Sequence, residues 1–102
     1  MSQKVIDLLN KGRSRELGAI TQYMAQHYEL EDSDFGKLAS KFKETAITEM
    51  KHAEKLVERI LFLKGEPTSK PDSVPKKGQK IVEMLNTNMA LEAAAMKLYN
   101  EA

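Results

Sequence analysis

Residues 38–65 read LASKFKETAITEMKHAEKLVERILFLKG, and the spacing of their side chains decides the fold. One stripe recurs every three or four residues, which is the period of one face of an α-helix. It comprises Leu38, Phe42, Thr45, Glu49, His52, Leu56, Arg59 and Leu63. We therefore expect a helix over about residues 35–64. Ser33 or Asp34 is the expected N-terminal cap, and Gly65 is expected to end the helix.

Two more segments show the same helical period. The first spans about residues 4–30, and its stripe comprises Val5, Leu9, Gly12, Glu16, Ala19, Tyr23, His27 and Leu30. The other spans about residues 79–102, and its stripe comprises Ile81, Leu85, Asn88, Glu92, Ala95, Tyr99 and Ala102. The sequence therefore predicts an all-α fold, with three helices in a single domain over residues 1–102.

The two connections differ in length, and this difference predicts the topology. The short turn at residues 31–34 makes the first two helices antiparallel neighbours. Residues 65–78 contain all three prolines and form a loop. Fully extended, this loop reaches about 46 Å, and the second helix is about 45 Å long. The loop can therefore cross the whole bundle and make the third helix parallel to the second. A floppy loop between up-and-down helices is the simpler alternative.

Composition excludes several classes of protein. The chain has 16 Lys and Arg against 15 Asp and Glu, and this balance argues against nucleic-acid binding. It has no cysteine, which removes disulfides and cysteine nucleophiles. No apolar run approaches the roughly 18–20 residues that a membrane span requires. The first ten residues lack the apolar core of a signal peptide, so we expect a cytoplasmic protein.

Carboxylates interrupt the apolar stripes at one level of the predicted bundle. Glu16, Glu49 and Glu92 each lie near the middle of a helix, on its inward face. Buried carboxylates are costly and repel one another, so a bound metal pair is an economical explanation. His52 follows Glu49 by three residues and shares its face. Di-iron sites in helical bundles use single glutamates from two helices and a Glu-x-x-His from each of the others. The donors suit iron or manganese, and zinc remains open.

Two neighbouring side chains have both structural and functional readings. Tyr23 shares a stripe with Glu16. It is either a core tyrosine or a phenol beside the metals, and in the second case it hydrogen-bonds a ligand carboxylate or supplies an electron. Met50 belongs to a second, small-residue strip on its helix, which predicts a second helix–helix contact, within the chain or between subunits. That strip comprises Ala46, Met50, Ala53 and Val57.

These segments together resemble the bacterioferritins, the haem-containing branch of the ferritin-like superfamily. The resemblance extends over nearly the whole chain and is carried by residues 4–10, 16–23, 49–54, 58–63, 83–85 and 90–92. It implies one ferritin-like domain, an antiparallel helical bundle with a long crossover. It also implies homo-oligomers, from dimers to hollow shells, that take up Fe(II), oxidise it with O2 or H2O2 and store iron.

The resemblance also assigns roles to single residues. Glu16, Glu49, His52 and Glu92 are similar to the ferroxidase ligands of that family, with Glu49 bridging two irons. Tyr23 matches the tyrosine beside the site. Met50 matches the methionine that supplies one axial haem ligand from each subunit across a twofold axis.

One part of the family pattern is missing from this sequence. Bacterioferritins continue into a fourth helix that carries the second Glu-x-x-His. The chain is therefore either a fragment or a short form whose open stripe another subunit closes. The expected function is intracellular iron storage, with ferroxidase activity if a fourth helix completes the site. The alternatives are a non-enzymatic helical assembly or haem-binding module with an incomplete metal site, and a rubrerythrin-like peroxidase.

Overall fold

The computed structural model describes residues 2–31 and 33–101, apart from the side chains of Ser2, Tyr99 and Glu101. Three helices occupy these ranges: α1 (Ser2–Leu30), α2 (Gly36–Phe62) and α3 (Ile81–Glu101). The described residues contain no strand, and the all-α prediction is confirmed. The predicted stripe position Ala102 and the turn residue Asp32 lie outside the described residues. None of the described helices is long and apolar enough to cross a membrane.

The turn between α1 and α2 differs from the prediction in its capping. The N-cap residue of α2 is Phe35, and no side chain caps the helix. Ser33 instead donates its hydroxyl to the carbonyl of Leu30 at 2.7 Å, and its Oγ accepts from the N–H of Phe35 at 3.0 Å. The predicted cap at Ser33 or Asp34 is therefore wrong. Ser33 lies two residues before the N-cap position, which is too early to bond the first turn of α2. Its hydroxyl instead bonds the last residue of α1 and the N-cap residue of α2.

The end of α2 also corrects the prediction in detail. Lys64 is the residue with the left-handed conformation, with a φ of 63°. Its N–H bonds the carbonyl of Leu61 and the N–H of Gly65 bonds that of Ile60, both at 2.9 Å, which is a Schellman motif. Gly65 lies one residue further on, where a Cβ would stand 2.8 Å from a methyl carbon of Ile6. Close approach to α1, and not helix termination, requires this glycine.

The connection from α2 to α3 runs along α1 for most of its length. Polar contacts hold it there in order along the chain: Asn10 with Glu66 and Thr68, Ser14 with Asp72, Gln22 with Lys76, and Glu29 with Gly78. The loop thus travels from the N-terminal part of α1 to its C-terminal end. The predicted crossover is confirmed.

Helix α3 is antiparallel to α1 and parallel to α2. Going forward along α3, Asn88 contacts Gln26 and Glu92 contacts Tyr23, so the partners on α1 run backward. The core between the helices comprises Ala19, Tyr23, Leu30, Ala39, Phe42, Ala46 and Met84. Among the described residues, the backbones of α2 and α3 nowhere approach as closely as those of α1 and either neighbour. An apolar groove therefore stays open between α2 and α3.

Candidate metal centre

Two carboxylates enter the centre of the bundle from facing helices. Glu16 on α1 is 3% exposed and Glu49 on α2 is 8% exposed. His52 follows Glu49 by one turn, and its Nδ1 lies 3.6 Å from Oε2 of Glu49 and 4.0 Å from Oε2 of Glu16. One ligand atom from each of the three residues lies within 4.8 Å of the others. The helical spacing of Glu49 and His52 produces this arrangement, because residues three apart share a face.

A third carboxylate reaches the same centre from α3. Glu92 lines a small cavity together with Glu16 and Glu49. Its Oε1 accepts a hydrogen bond of 2.9 Å from the hydroxyl of Tyr23. Glu92 is exposed, since it faces the open groove beside α2. Glu16, Glu49 and His52 thus converge, Glu92 lies beside this group without joining it, and Tyr23 reaches the centre through its hydrogen bond to Glu92.

Burial and crowding raise the affinity of Glu49 for a proton. Burial, then the hydrogen bond and charge of Glu16, then the charge of Glu92 raise the pKa of Glu49 to about 9. Glu49 therefore holds a proton at neutral pH in the metal-free protein. Burial, followed by the hydrogen bond to Glu92, also raises the pKa of Tyr23 well above its usual value. The phenol consequently stays protonated and keeps donating to Glu92.

The donor set fits divalent cations. Two donors of one such ion lie at most about 4.4 Å apart, so the three atoms within 4.8 Å are near the spacing that one ion needs. A cation here would remove the repulsion between the carboxylates and replace the proton on Glu49. Carboxylate oxygens with an imidazole nitrogen are ligands typical of iron and manganese sites.

Comparison with known proteins gives the family of the chain. Residues 6–102 match the family model of the ferritin-like domain. The chain belongs to the ferritin-like family. It is 45% identical over 98 residues to the bacterioferritin of Desulfovibrio desulfuricans, covering 96% of this chain and 55% of that protein. It is 41% identical over 99 residues to the bacterioferritin of Rhodobacter capsulatus, covering 97% and 62%.

Solved structures of the same two bacterioferritins share the fold. The Desulfovibrio desulfuricans structure, which describes a diiron site in different catalytic states, superposes with a TM-score of 0.94 at 44% identity and covers 98% of this chain. The Rhodobacter capsulatus structure, with a metal-free dinuclear site and haem iron in a crystallographic special position, superposes with a TM-score of 0.91 at 42% identity and covers 97% of this chain. The chain spans 58% and 62% of those two chains. The resemblance to bacterioferritins is confirmed.

The predicted haem ligand of this ferritin-like chain lies apart from the carboxylates. Met50 is 47% exposed and lines a groove on the surface formed by α1 and α2. The groove comprises Arg13, Leu17, Ile20, Met50, Ala53, Glu54, Val57 and Glu58. The small residues Ala53 and Val57, one and two turns along α2 from Met50, line the same groove.

Two residues near the site were missed by the sequence pattern. Arg15 lines the small cavity with the carboxylates, and its buried Nε has no hydrogen-bond partner among the described residues. Its terminal nitrogen lies 3.8 Å from a carboxylate oxygen of Asp72. Gln26 is completely buried and bonds Asn88 on α3. The sequence holds no local signal for either role, because both depend on where α3 and the crossover loop lie.

Proposed function

We propose that this ferritin-like chain binds iron for storage and supplies part of a carboxylate-bridged di-iron site that oxidises Fe(II). The observation that carries the proposal is the convergence of Glu16, Glu49 and His52, with ligand atoms within 4.8 Å of one another. Glu92 is the proposed fourth ligand, and Tyr23 holds its carboxylate through the 2.9 Å hydrogen bond. We place this function in the cytoplasm.

The chain's own residues have defined tasks in such a reaction. Glu49 would release its proton when cations bind and would serve as the bridging carboxylate, while Glu16 and Glu92 would offset part of the remaining charge. His52, which is half exposed, would supply a nitrogen donor at the edge of the site. Two Fe(II) ions lose one electron each, and O2 with two protons becomes H2O2. With H2O2 as the oxidant, the same two electrons and two protons produce two waters.

The open side of the bundle is where we propose that the site is completed. The groove between α2 and α3 exposes apolar side chains beside Glu92, including Leu85, Met89 and Met96. A further helix that covers these side chains would bring a second Glu-x-x-His within reach of the carboxylates. We assign that helix either to protein that follows residue 102 or to another subunit, and we expect a homo-oligomer in both cases.

A matched pair of variants on α2 tests the iron site. Fe(II) is added to the protein without oxygen, bound iron is counted, and oxidation is followed after O2 is admitted. Glu49→Gln is expected to lower iron binding about tenfold or more, because it removes the bridging carboxylate. Glu44→Gln removes an exposed carboxylate of the same helix, which lies 3.9 Å from Lys41, and should behave as the unaltered chain. Equal iron binding by both variants would contradict the proposal.

We propose haem as a second ligand, on the basis of the groove around Met50. Two copies of the chain that meet at this groove would present one thioether each to a flat apolar ring, and thioether sulfur is a known axial ligand of haem iron. Met50→Leu is expected to abolish the low-spin haem spectrum. Met89→Leu, an exposed methionine on α3, should leave that spectrum intact. Haem binding that survives Met50→Leu unchanged would exclude this assignment.

A further inference from the structure

The connection that precedes α3 is held on α1 as far as Gly78, and the position of Glu92 further along α3 depends on contacts of the helix itself. A long crossover separates α2 from α3, and the turn that holds α1 against α2 has no counterpart for α3. The apolar contacts of α3, such as those of Met84 and Leu91 with the core, are non-directional. They favour burial of one face but do not select one axial position over another a turn away.

Two buried amides supply directional contacts between α1 and α3, in addition to the hydrogen bond from Tyr23 to Glu92. Gln26 Nε2 donates to Oδ1 of Asn88 at 2.8 Å, and Asn88 Nδ2 donates to Oε1 of Gln26 at 2.9 Å. Gln26 is 0% exposed and Asn88 is 8% exposed. A shift of α3 by one residue moves Asn88 by about 1.5 Å and rotates it by about 100°, which breaks both bonds. Two amides would then stay buried without partners, and this is costly.

The amide pair lies directly beside the candidate metal centre. Asn88 precedes Glu92 by four residues on α3, and Gln26 follows Tyr23 by three residues on α1. The two pairs therefore lie about one helical turn apart along the same contact. Glu92 is exposed, and its carboxylate is held towards the centre by the hydrogen bond from Tyr23.

We propose that Gln26 and Asn88 are positioning residues that fix the register of α3 on α1 and thereby keep Glu92 in the metal centre. Neither amide is proposed to touch a metal ion. They act through helix position, and the Tyr23 hydrogen bond to Glu92 depends on that position. The consequence for metal binding rests on the proposed function, whereas the consequence for the Tyr23 hydrogen bond does not.

The test uses variants that separate register from stability. Gln26→Leu with Asn88→Leu removes both amides and leaves no buried polar group unpaired, so the fold is retained. Gln26→Asn with Asn88→Gln exchanges the two side chains and keeps a reciprocal amide pair. Thr87→Val is the control on α3. Thr87 forms two reciprocal hydrogen bonds with Gln79, which lies just before α3, and these bonds do not involve α1.

The first readout needs no metal. The NMR signal of the Tyr23 phenol carbon, assigned with Tyr23→Phe, reports the hydrogen bond to Glu92. In the double leucine variant this signal should move to its position in Glu92→Ala. In the exchanged variant and in Thr87→Val it should stay at the wild-type position. A wild-type signal in the double leucine variant overturns the proposal, as does an exchanged variant that behaves like the leucine one.

The second readout is Co²⁺ binding, followed by visible absorption. The double leucine variant should bind Co²⁺ about tenfold more weakly or worse, and the exchanged variant should recover at least part of that loss. Unchanged Co²⁺ affinity in the double leucine variant overturns the proposed effect on the metal centre. If the wild-type chain binds no Co²⁺, the proposed function fails, while the Tyr23 signal still decides whether the amides set the register.

Discussion

Binding of a cation to the carboxylate centre should release a proton from Glu49. The structure raises the pKa of Glu49 to about 9, through burial first and then through Glu16 and Glu92. At pH 7, which lies below that value, most of the metal-free molecules keep Glu49 protonated. A cation that uses this carboxylate must displace the proton. The apparent affinity should therefore rise about tenfold for each pH unit between pH 6 and pH 8.

The assay combines titration with a proton count. Zn²⁺ or Co²⁺ is added to metal-free protein in weakly buffered solution at pH 7, and the base needed to restore the pH is measured. Near one proton should be released from Glu49 for each occupied centre. In Glu49→Gln this proton should disappear together with most of the pH dependence, whereas Glu44→Gln should match the unaltered chain. Proton release close to zero, or equal release from the Glu49→Gln variant, would show that the cation does not displace a proton from Glu49.

Three further predictions concern stability. Because the folded pKa of Glu49 is raised from 4.5 to about 9, its favourable contribution is present below about pH 4.5 and lost towards pH 9; thermal midpoints of metal-free protein should fall over that range, and less so in Glu49→Gln. Tyr23→Phe should cost about 1 kcal/mol in chemical denaturation, whereas Tyr28→Phe, at an exposed site, should cost less than about 0.5 kcal/mol. Gly65→Ala should cost about 1–3 kcal/mol, since its Cβ would strike a buried isoleucine of α1, while Gly36→Ala meets nothing within 4 Å and should be tolerated. Equal denaturation midpoints for the two tyrosine variants, or for the two glycine variants, would contradict the contacts of Tyr23 or Gly65 described above.

The helices and the crossover could be predicted from the sequence, because both follow from the spacing of apolar residues and the length of the connections. A period of 3.6 residues can bury only one face, so the stripes through Phe42 and Tyr23 indicate which side of each helix packs inward. The proline-containing connection is too long for a tight turn, and its length matches that of the second helix. The helical spacing of Glu49 and His52 likewise brings their side chains together. Their role as metal ligands stays a prediction.

Other features could not be predicted because they depend on contacts between distant segments. Ser33 has the side chain of an N-cap, but the turn geometry places it two residues too early. The left-handed residue at the end of α2 is Lys64 and not Gly65, where the pattern suggested it. Gly65 is needed for a different reason, because α1 passes too close for a side chain there. Gln26 finds its amide partner 62 positions away, which no local pattern reveals. Arg15 meets Asp72 because the crossover loop runs beside α1, which its own neighbours in sequence do not indicate.

We expect iron to bind between α1, α2 and α3 at the carboxylate centre. Crystals grown without metal and soaked in Fe(II) under anaerobic conditions test it directly, through an anomalous difference map at the iron absorption edge. We expect a peak within bonding distance of Glu16, Glu49 and His52. Iron peaks found only elsewhere on the molecule, with density at this centre absent, would contradict the account.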